Sequence, residues 1–282
     1  MNQLASPRTQ WTVVGNSWMA TMPTKPELPP GKYVIDWTMA GAVLTPISIA
    51  SDEAIIATDS TADQIYKSVV NFVAAKPKYD KWKRLHKRGI LMNSLPGAGK
   101  TMTCNAVADK VTSCNSVALF SGCDTLPRAI ASVLQQVRAV HPNMLILNIM
   151  EDLDRHDDDD FEELLDILDG KLQVNNIVHL ATTNYIGELD ERLTKRPGRF
   201  DDVITISAPP AAVRKSFFAQ LIPTDEQTPG MIDMMVKSSD GFLFSHMKAL
   251  AVDHLVLGKP IEELAKQLKE QIPTITTPKK RR

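Results

Sequence analysis

The feature that most constrains this chain is a glycine-containing segment that follows a short apolar run. Ile90–Met92 has the pattern of a buried strand, and the segment Ser94–Thr101 comes directly after it. This segment fits the spacing G-x-x-x-x-G-K-[ST], with serine in place of the first glycine. Gly97 and Gly99 allow backbone N–H groups to turn inward, and a helix that starts there aims its positive end at the same anion. The sequence therefore predicts a phosphate-binding loop in an α/β fold.

Two side chains of this segment carry the predicted chemistry. Lys100 is expected to reach the β- and γ-phosphates of a nucleotide, and Thr101 is expected to ligate Mg²⁺. An ordinary glycine turn followed by a surface lysine is the alternative that the motif alone leaves open. The predicted cofactor-binding residues are Ser94, Pro96, Gly97, Ala98, Gly99, Lys100, Thr101 and Met102.

A second apolar run delivers acidic residues. The segment Met144–Met150 is mostly apolar, and Glu151 and Asp152 follow it. In open α/β sheets, ligands bind at the carboxyl ends of the strands. Because these acids follow a phosphate-binding loop in the sequence, they are predicted to bind Mg²⁺ and to polarise the attacking water. A buried strand that leads into a solvated acidic turn is the alternative interpretation.

Two more elements complete the order. Asn176–Thr183 reads as a further strand that ends in the amide of Asn184, and Arg196-Pro197-Gly198-Arg199-Phe200-Asp201 precedes a last strand at Val203–Ile206. Beyond Pro209 and Pro210 the chain reads as helices, separated by glycines. The predicted helices are Ala211–Leu221, Met231–Lys237, Ser245–Leu257 and Ile261–Ile272.

The first 60 residues differ in texture from the rest. Short β-prone runs alternate with proline and glycine, and three of the four tryptophans lie here: Trp11, Trp18 and Trp37. This pattern predicts a small β-rich module. Docking of a partner and packing on the core are equally good explanations of its aromatic residues.

Charge is segregated locally although the whole chain is nearly neutral. The net charge is −1, which gives no general attraction to nucleic acid or anionic membranes. Lys76–Arg88 holds seven basic residues and one acid, which fits either a solvated connector or a nucleic-acid contact. Glu151–Asp169 holds eleven acids and one arginine, and it is expected to be a solvated face that keeps nucleic acid away from that loop.

Composition and length set the class of protein. A chain of 282 residues with 43% hydrophobic residues has the size of one large or two modest globular domains. Three cysteines without C-x-x-C spacing fit a reducing compartment. No run approaches 18 apolar residues, and the first residues do not resemble a signal peptide. We therefore expect a cytoplasmic protein with no membrane partner.

Taken together, these elements resemble the AAA family of the AAA+ ATPases over roughly residues 60–275. The resemblance rests on the phosphate-binding loop, the acids after the second apolar run, Asn184, and the Arg-Pro-Gly-Arg-Phe-Asp motif. Leu164-Leu165 and Leu168-Asp169-Gly170 also match the family's leucine-rich helix that ends in Asp-Gly. The order Glu-Asp, where most members have Asp-Glu, and the short loop 121–127 without an aromatic residue are similar to the mitochondrial AAA translocase branch that moves a folded protein.

The resemblance implies a role for each matching residue. Glu151 takes the metal-side position together with Thr101, and Asp152 polarises the attacking water. Asn184 is the sensor of the γ-phosphate or of the lytic water. Arg196 and Arg199 match arginine fingers that reach a neighbouring subunit's nucleotide, with Arg192 as a weaker candidate. ATP and Mg²⁺ are the implied cofactors.

The resemblance also implies an architecture and a function. We expect a β-rich module at 1–60, an αβα ATPase core with a parallel five-stranded sheet at 61–208, a helical lid at 209–276 and a basic tail at 277–282. Self-association into a ring, with six subunits as the expected number, would remodel or chaperone a protein assembly chosen by the β-rich module. The alternative is an AAA+ protein linked to nucleic acid, such as a loader of replication proteins.

Overall fold

A computed structural model describes residues 10–14, 17–21, 27–39, 41–47, 60–196 and 198–272. Two short strands, β1 (Gln10–Val14) and β2 (Ser17–Thr21), pair antiparallel with each other. Residues 48–59 of the predicted β-rich module and the basic tail at 277–282 lie outside the described residues.

The centre of the molecule is a seven-stranded, mostly parallel sheet. Its strand order is β4-β3-β6-β7-β8-β5-β9, and all neighbours except β3 and β4 run parallel. The strands are β3 (Gly31–Thr38), β4 (Gly41–Pro46), β5 (Lys87–Asn93), β6 (Val117–Ser121), β7 (Ile146–Met150), β8 (Ile177–Thr183) and β9 (Asp202–Thr205). The strands β6, β7 and β8 are buried along their whole length, which explains their continuous apolar sequence.

Strands β5 to β9 form the predicted five-stranded parallel sheet, and the pair β3–β4 widens it. Strand β3 lies parallel to β6, with Val34 beside Phe120, and β4 forms the outer edge. Part of the segment predicted as a β-rich module at 1–60 therefore continues the core sheet. The β-prone pattern of a strand does not indicate which sheet the strand joins, and an open edge at β6 favours pairing with any strand at hand.

Helices cover both faces of the sheet and form a separate group at the carboxyl end of the chain. The helices are α1 (Thr61–Ala74), α2 (Lys76–Lys81), α3 (Lys100–Thr112), α4 (Pro127–Val140), α5 (Asp158–Asp169), α6 (Glu191–Thr194), α7 (Ala211–Leu221), α8 (Met231–Ser238), α9 (Phe244–Leu257) and α10 (Ile261–Glu270). Helices α1 and α3 pack on one face of the sheet, and α4 and α5 pack on the other. This arrangement confirms the αβα sandwich.

Helices α7–α10 share a hydrophobic cluster of their own. Phe218, Phe242, Met247 and Leu250 are completely buried in it. The helices expected after Pro209 and Pro210 are therefore present. Among the described residues, no helix has the length and apolar character needed to cross a bilayer.

Candidate nucleotide-binding site

The segment after β5 forms a tight loop that leads straight into α3. Gly97 and Gly99 have φ angles of 83° and 93°, in the left-handed region that favours glycine. Helix α3 begins at Lys100, so its positive N-terminus faces the inside of the loop. The loop therefore has the backbone conformation and the helix dipole that a phosphate-binding loop needs.

The ammonium group of Lys100 is held by neutral oxygen atoms. Its Nζ donates to the backbone oxygen of Ser94 at 3.1 Å, to Ser94 Oγ at 3.0 Å and to Asn184 Oδ1 at 2.7 Å. Burial lowers the pKa of Lys100, and the nearby carboxylates of Asp152 and Asp154 oppose that shift. A buried cation that lacks a strong anionic acceptor is chemically suited to bind phosphate oxygens.

These contacts explain the serine at the position of the first glycine. Ser94 is buried, accepts from Lys100 through its hydroxyl, and donates to the backbone oxygen of Leu95 at 3.1 Å. Ala98 is also buried and packs with the core cluster beside α1 and α3. Ser94 therefore stabilises the loop through hydrogen bonds, and Ala98 stabilises it through packing on the core.

The predicted metal-side pair is in contact. Thr101 Oγ1 donates to Glu151 Oε1 at 2.7 Å. Burial raises the pKa of Glu151, the hydrogen bond from Thr101 lowers it, and the charge of Asp152 raises it further. A hydroxyl beside a carboxylate is the donor set that Mg²⁺ prefers, and a cation would relieve the cost of burying the Glu151 charge. These two residues therefore fit the implied Mg²⁺.

Asp152 and Asn184 meet at the carboxyl ends of β7 and β8. Asn184 Nδ2 donates to Asp152 Oδ1 at 3.2 Å, while Asn184 Oδ1 accepts from Lys100. Asp152 has a left-handed backbone with φ of 53°, and its N–H donates to Thr182 Oγ1 at 2.9 Å. A non-glycine residue in this conformation costs about 1–2 kcal/mol, so the strain is held in place by the surrounding contacts.

Sequence reasoning missed Asp154, which is hydrogen-bonded to Thr183 and to the backbone of Asn184. Asp154 Oδ1 accepts from Thr183 Oγ1 at 2.7 Å and from the backbone N–H of Asn184 at 2.9 Å. The available signal was that Asp154 is the next acid after Glu151 and Asp152. However, the segment Glu151–Asp169 contains eleven acids, so the sequence did not distinguish Asp154 from the others.

A cavity of about 390 Å³ opens above the loop and is closed on one side by helices α7 and α9. Sequence reasoning also missed the cavity residues of α7 and α9, because no local pattern marks them. The cavity is lined by Pro96, Gly97, Gly99, Lys100, Thr101, Met102, Asp152, Asn184, Phe217, Leu221, Phe244, Ser245 and Lys248.

Helix α9 touches the phosphate-binding loop directly. The backbone N–H of Ser245 donates to the backbone oxygen of Gly97 at 3.1 Å. A second cavity of about 300 Å³ shares Met102, Phe217 and Phe244 with the first and extends to the segment 204–210. The first cavity thus contains the loop and Lys100, and the second continues from it along the segment 204–210.

The structure separates the two predicted arginine fingers. Arg196 is exposed, whereas Arg199 is buried at 7% exposure. Arg199 Nη1 donates to the backbone oxygen of Arg192 at 2.7 Å, and its Nε lies 3.7 Å from Asp169 Oδ2. A guanidinium enclosed by its own chain does not fit a group presented to a neighbour, because reaching out would break these contacts. The finger roles of both residues stay predictions.

Part of the chain matches a known protein family. Residues 90–208 match the sequence model of the family described as "ATPase family associated with various cellular activities (AAA)". The chain is 25% identical over 217 residues to the ATP-dependent zinc metalloprotease FtsH 2 of Thermoanaerobacter sp. (strain X514), covering 71% of this chain and 41% of that protein.

Two eukaryotic relatives show the same level of similarity. Tat-binding homolog 7 of Caenorhabditis briggsae is 26% identical over 69% of this chain and 17% of its own length. The ATPase family gene 2 protein of Saccharomyces cerevisiae is 29% identical over 45% of this chain and 18% of its own length. The chain thus spans less than half the length of each of these relatives.

The matched region runs from β5 through the segment after β9, and it contains the phosphate-binding loop, Glu151, Asp152, Asn184 and both arginines. The segment 90–208 is therefore an ATPase domain of the AAA family.

Proposed function

We propose that this chain hydrolyses ATP with Mg²⁺ in an oligomeric ring and uses the energy to remodel or chaperone a protein assembly. The observation that carries the proposal is the convergence of Lys100, Asn184 and Asp152 through direct hydrogen bonds, beside the pair Thr101–Glu151. Cation, metal ligands, amide sensor and carboxylate base are the groups that phosphoryl transfer to water requires.

Each residue has a defined task in this proposal. Lys100 and the loop N–H groups bind the phosphates, while Thr101 and Glu151 would hold Mg²⁺, which supplies positive charge next to the phosphate oxygens when bound. Asp152 accepts a proton from the attacking water, and Asn184 orients that water or the γ-phosphate. Asp154 fixes the position of Asn184.

The division of the chain follows from these tasks. Residues 61–208 would form the ATPase core and residues 209–276 the lid, since α7 and α9 line one side of the cavity. The β-rich segment 1–60 would choose the protein client, and its strands β3 and β4 tie it to the core sheet.

A ring completes the site. Arg196 is exposed on its own chain and does not line the cavity, so it would act on the nucleotide of a neighbouring subunit. An arginine supplied in this way contributes about 10³-fold or more to turnover. Closed rings arise when head-to-tail contacts close on themselves, and six subunits is the number we expect.

The test uses two inactive chains that complement each other. We expect Arg196→Ala to lose turnover and keep ATP affinity, and Lys100→Ala to lose ATP affinity. When the two are mixed in equal amounts, about a quarter of random interfaces pair an intact loop with an intact arginine. Turnover should therefore reappear on mixing and reach a fraction of the wild-type rate.

The matched control is Arg192→Ala, which removes an exposed arginine four residues earlier in the chain. Arg192 pairs with Asp190 at 2.6 Å and with Glu162 at 2.7 Å, and its loss should leave most of the turnover intact. Mixed chains that remain inactive would refute the action in trans. Wild-type turnover in Arg196→Ala would refute the assignment of this residue.

A further inference from the structure

The connection between α1 and β5 carries an unusual combination of exposed residues. Helix α2 buries none of its residues, and every residue from 81 to 85 is exposed. We call the group Lys78, Lys81, Trp82, Lys83 and Arg84 the basic–aromatic surface. Trp82 is 76% exposed, so its indole ring is accessible to solvent, and Lys81 and Lys83 flank it in the sequence.

Four cations of this surface have no carboxylate partner among the described residues. In the part of the chain that the structure describes, no carboxylate lies within ion-pair distance of Lys78, Lys81, Lys83 or Arg84. The other basic residues of the run differ in this respect. Lys76 pairs with Asp80 at 2.9 Å, Lys87 lies 3.7 Å from Asp169, and Arg88 pairs with Asp202 at 2.5 Å.

The surface is held in a fixed shape by aromatic packing beneath it. Tyr79 lies edge-on to Phe72 and His86, and the rings of Phe72 and His86 stack with centroids 3.7 Å apart. The backbone N–H of Trp82 donates to the backbone oxygen of Lys78 at 3.0 Å, and the backbone N–H of Arg84 donates to the backbone oxygen of Tyr79 at 3.0 Å. A surface that is already ordered loses little conformational entropy when it binds a partner.

The position of the surface separates it from the acids of the ATPase site. The surface precedes the amino end of β5, whereas the loop 94–101 follows its carboxyl end. Since β5 and β7 point the same way in the sheet, the acids Glu151, Asp152 and Asp154 lie at the far edge. These three acids therefore lie away from the surface. Asp169, an acid of the same run that does reach the amino end of β5, lies beside Lys87 and Arg199.

We propose that the basic–aromatic surface binds single-stranded nucleic acid. The four unpaired cations match a line of phosphates, and the exposed indole of Trp82 can stack on an unpaired base. A base inside a duplex is already stacked, so the aromatic part of the surface favours a single strand. Between residues 76 and 85, Leu85 is the one other large apolar side chain that is exposed. Membrane insertion requires a larger apolar surface than these two side chains provide.

The test measures fluorescence anisotropy of a labelled oligothymidylate of 20 nucleotides with the full chain at several salt concentrations. We expect log K to fall with log salt at a slope of about −3, because each neutralised phosphate of a single strand contributes roughly −0.7. Trp82→Ala should weaken binding about tenfold, the scale of one lost stacking contact. The double variant Lys81→Glu/Lys83→Glu should weaken binding further and flatten the slope by about 1.4 or more.

Two matched controls address folding and non-specific charge. Trp37→Ala removes another exposed tryptophan, and Lys266→Glu/Lys269→Glu reverses two exposed charges on α10. Both controls, and the variants of the surface, should keep ATP turnover, because none of these residues lines the nucleotide cavity.

The proposal is overturned by any of three results. The first is the absence of oligothymidylate binding in the wild type. The second is binding that the Trp82 and Lys81/Lys83 variants leave at the level of their controls. The third is wild-type binding to vesicles that contain phosphatidylserine without binding to the oligonucleotide, which would make a membrane surface the partner.

Discussion

Asp169 is expected to hold the loop of the arginine motif against the core through two cations, the half-buried Lys87 and the buried Arg199. Its carboxylate lies 3.7 Å from Lys87 Nζ and 3.7 Å from Arg199 Nε. Lys87 also donates to the backbone oxygen of Gly198 at 2.8 Å. Burial lowers the pKa of Lys87, and the charge of Asp169 is the largest influence that opposes this shift.

The change Asp169→Asn keeps the shape of the side chain and removes its charge. At an effective dielectric constant of about 20, each contact at this distance is worth on the order of 4 kcal/mol before desolvation is subtracted. Asp169 is partly exposed, and its own desolvation cost disappears with the charge, so we expect a net loss of about 2 kcal/mol. That loss is large compared with ordinary surface substitutions, which change stability by about 0.5 kcal/mol or less.

Urea unfolding followed by circular dichroism measures this loss. The control is Glu163→Gln, which removes an exposed carboxylate from the same helix. We also expect Asp169→Asn to lower ATP turnover while ATP affinity stays close to wild type, because the loop that carries Arg196 loses its anchor and the nucleotide cavity does not. An unfolding midpoint equal to that of Glu163→Gln would refute the reasoning, and so would unchanged turnover.

Two further predictions concern the phosphate-binding loop and the core. Gly97→Ala should weaken ATP binding about tenfold, because a left-handed alanine costs about 1–2 kcal/mol and its Cβ would lie 2.2 Å from Ser245 Oγ. Titration with a fluorescent ATP analogue measures the loss; Ser245→Gly in the same chain should restore part of it, and wild-type affinity in Gly97→Ala would contradict the argument. Burial lowers the pKa of His179 to about 3, so the unfolded chain binds the extra proton below about pH 6.5 and stability falls on acidification. Between pH 7 and pH 5, His179 should lower the free energy of unfolding of the wild type by about 2 kcal/mol, measured with urea. The variant His179→Gln lacks this contribution, so its stability should fall about 2 kcal/mol less than that of the wild type over the same pH range. An equal fall in both proteins would show that other groups dominate.

The centre of the site could be predicted from sequence because each part is local. Gly97, Gly99 and Lys100 are specified by a single loop, and Glu151 and Asn184 each follow an apolar strand. Parallel strands bring their carboxyl ends to one edge, so local patterns were enough to place these side chains together.

The remaining features depend on contacts between distant segments. Arg199 is buried beside Asp169, which is thirty residues earlier, and the arginine motif alone does not reveal this partner. The contact of Ser245 with Gly97 joins α9 to a loop that is far away in the sequence. The attachment of β3 to β6 depends on which edge of the sheet is open, and a strand pattern carries no such information.

The segment from Asn184 to Arg199 joins the two chemical halves of the site, and it is fixed at both ends. At its start, Asn184 is held by Asp154 and Lys100. At its end, the backbone of Gly198 is held by Lys87, and Arg199 lies beside Asp169.

A nucleotide in the loop would compete for Lys100, because phosphate oxygens are stronger acceptors than the amide of Asn184. Loss of the hydrogen bond between Lys100 and Asn184 would free one contact at the start of the segment 184–199, while the other end of the segment stays anchored. Arg196 lies between these two ends, so its position should depend on what occupies the phosphate-binding loop of its own chain. In the proposed ring, the same contacts that build one site would thus report its nucleotide state to the next subunit.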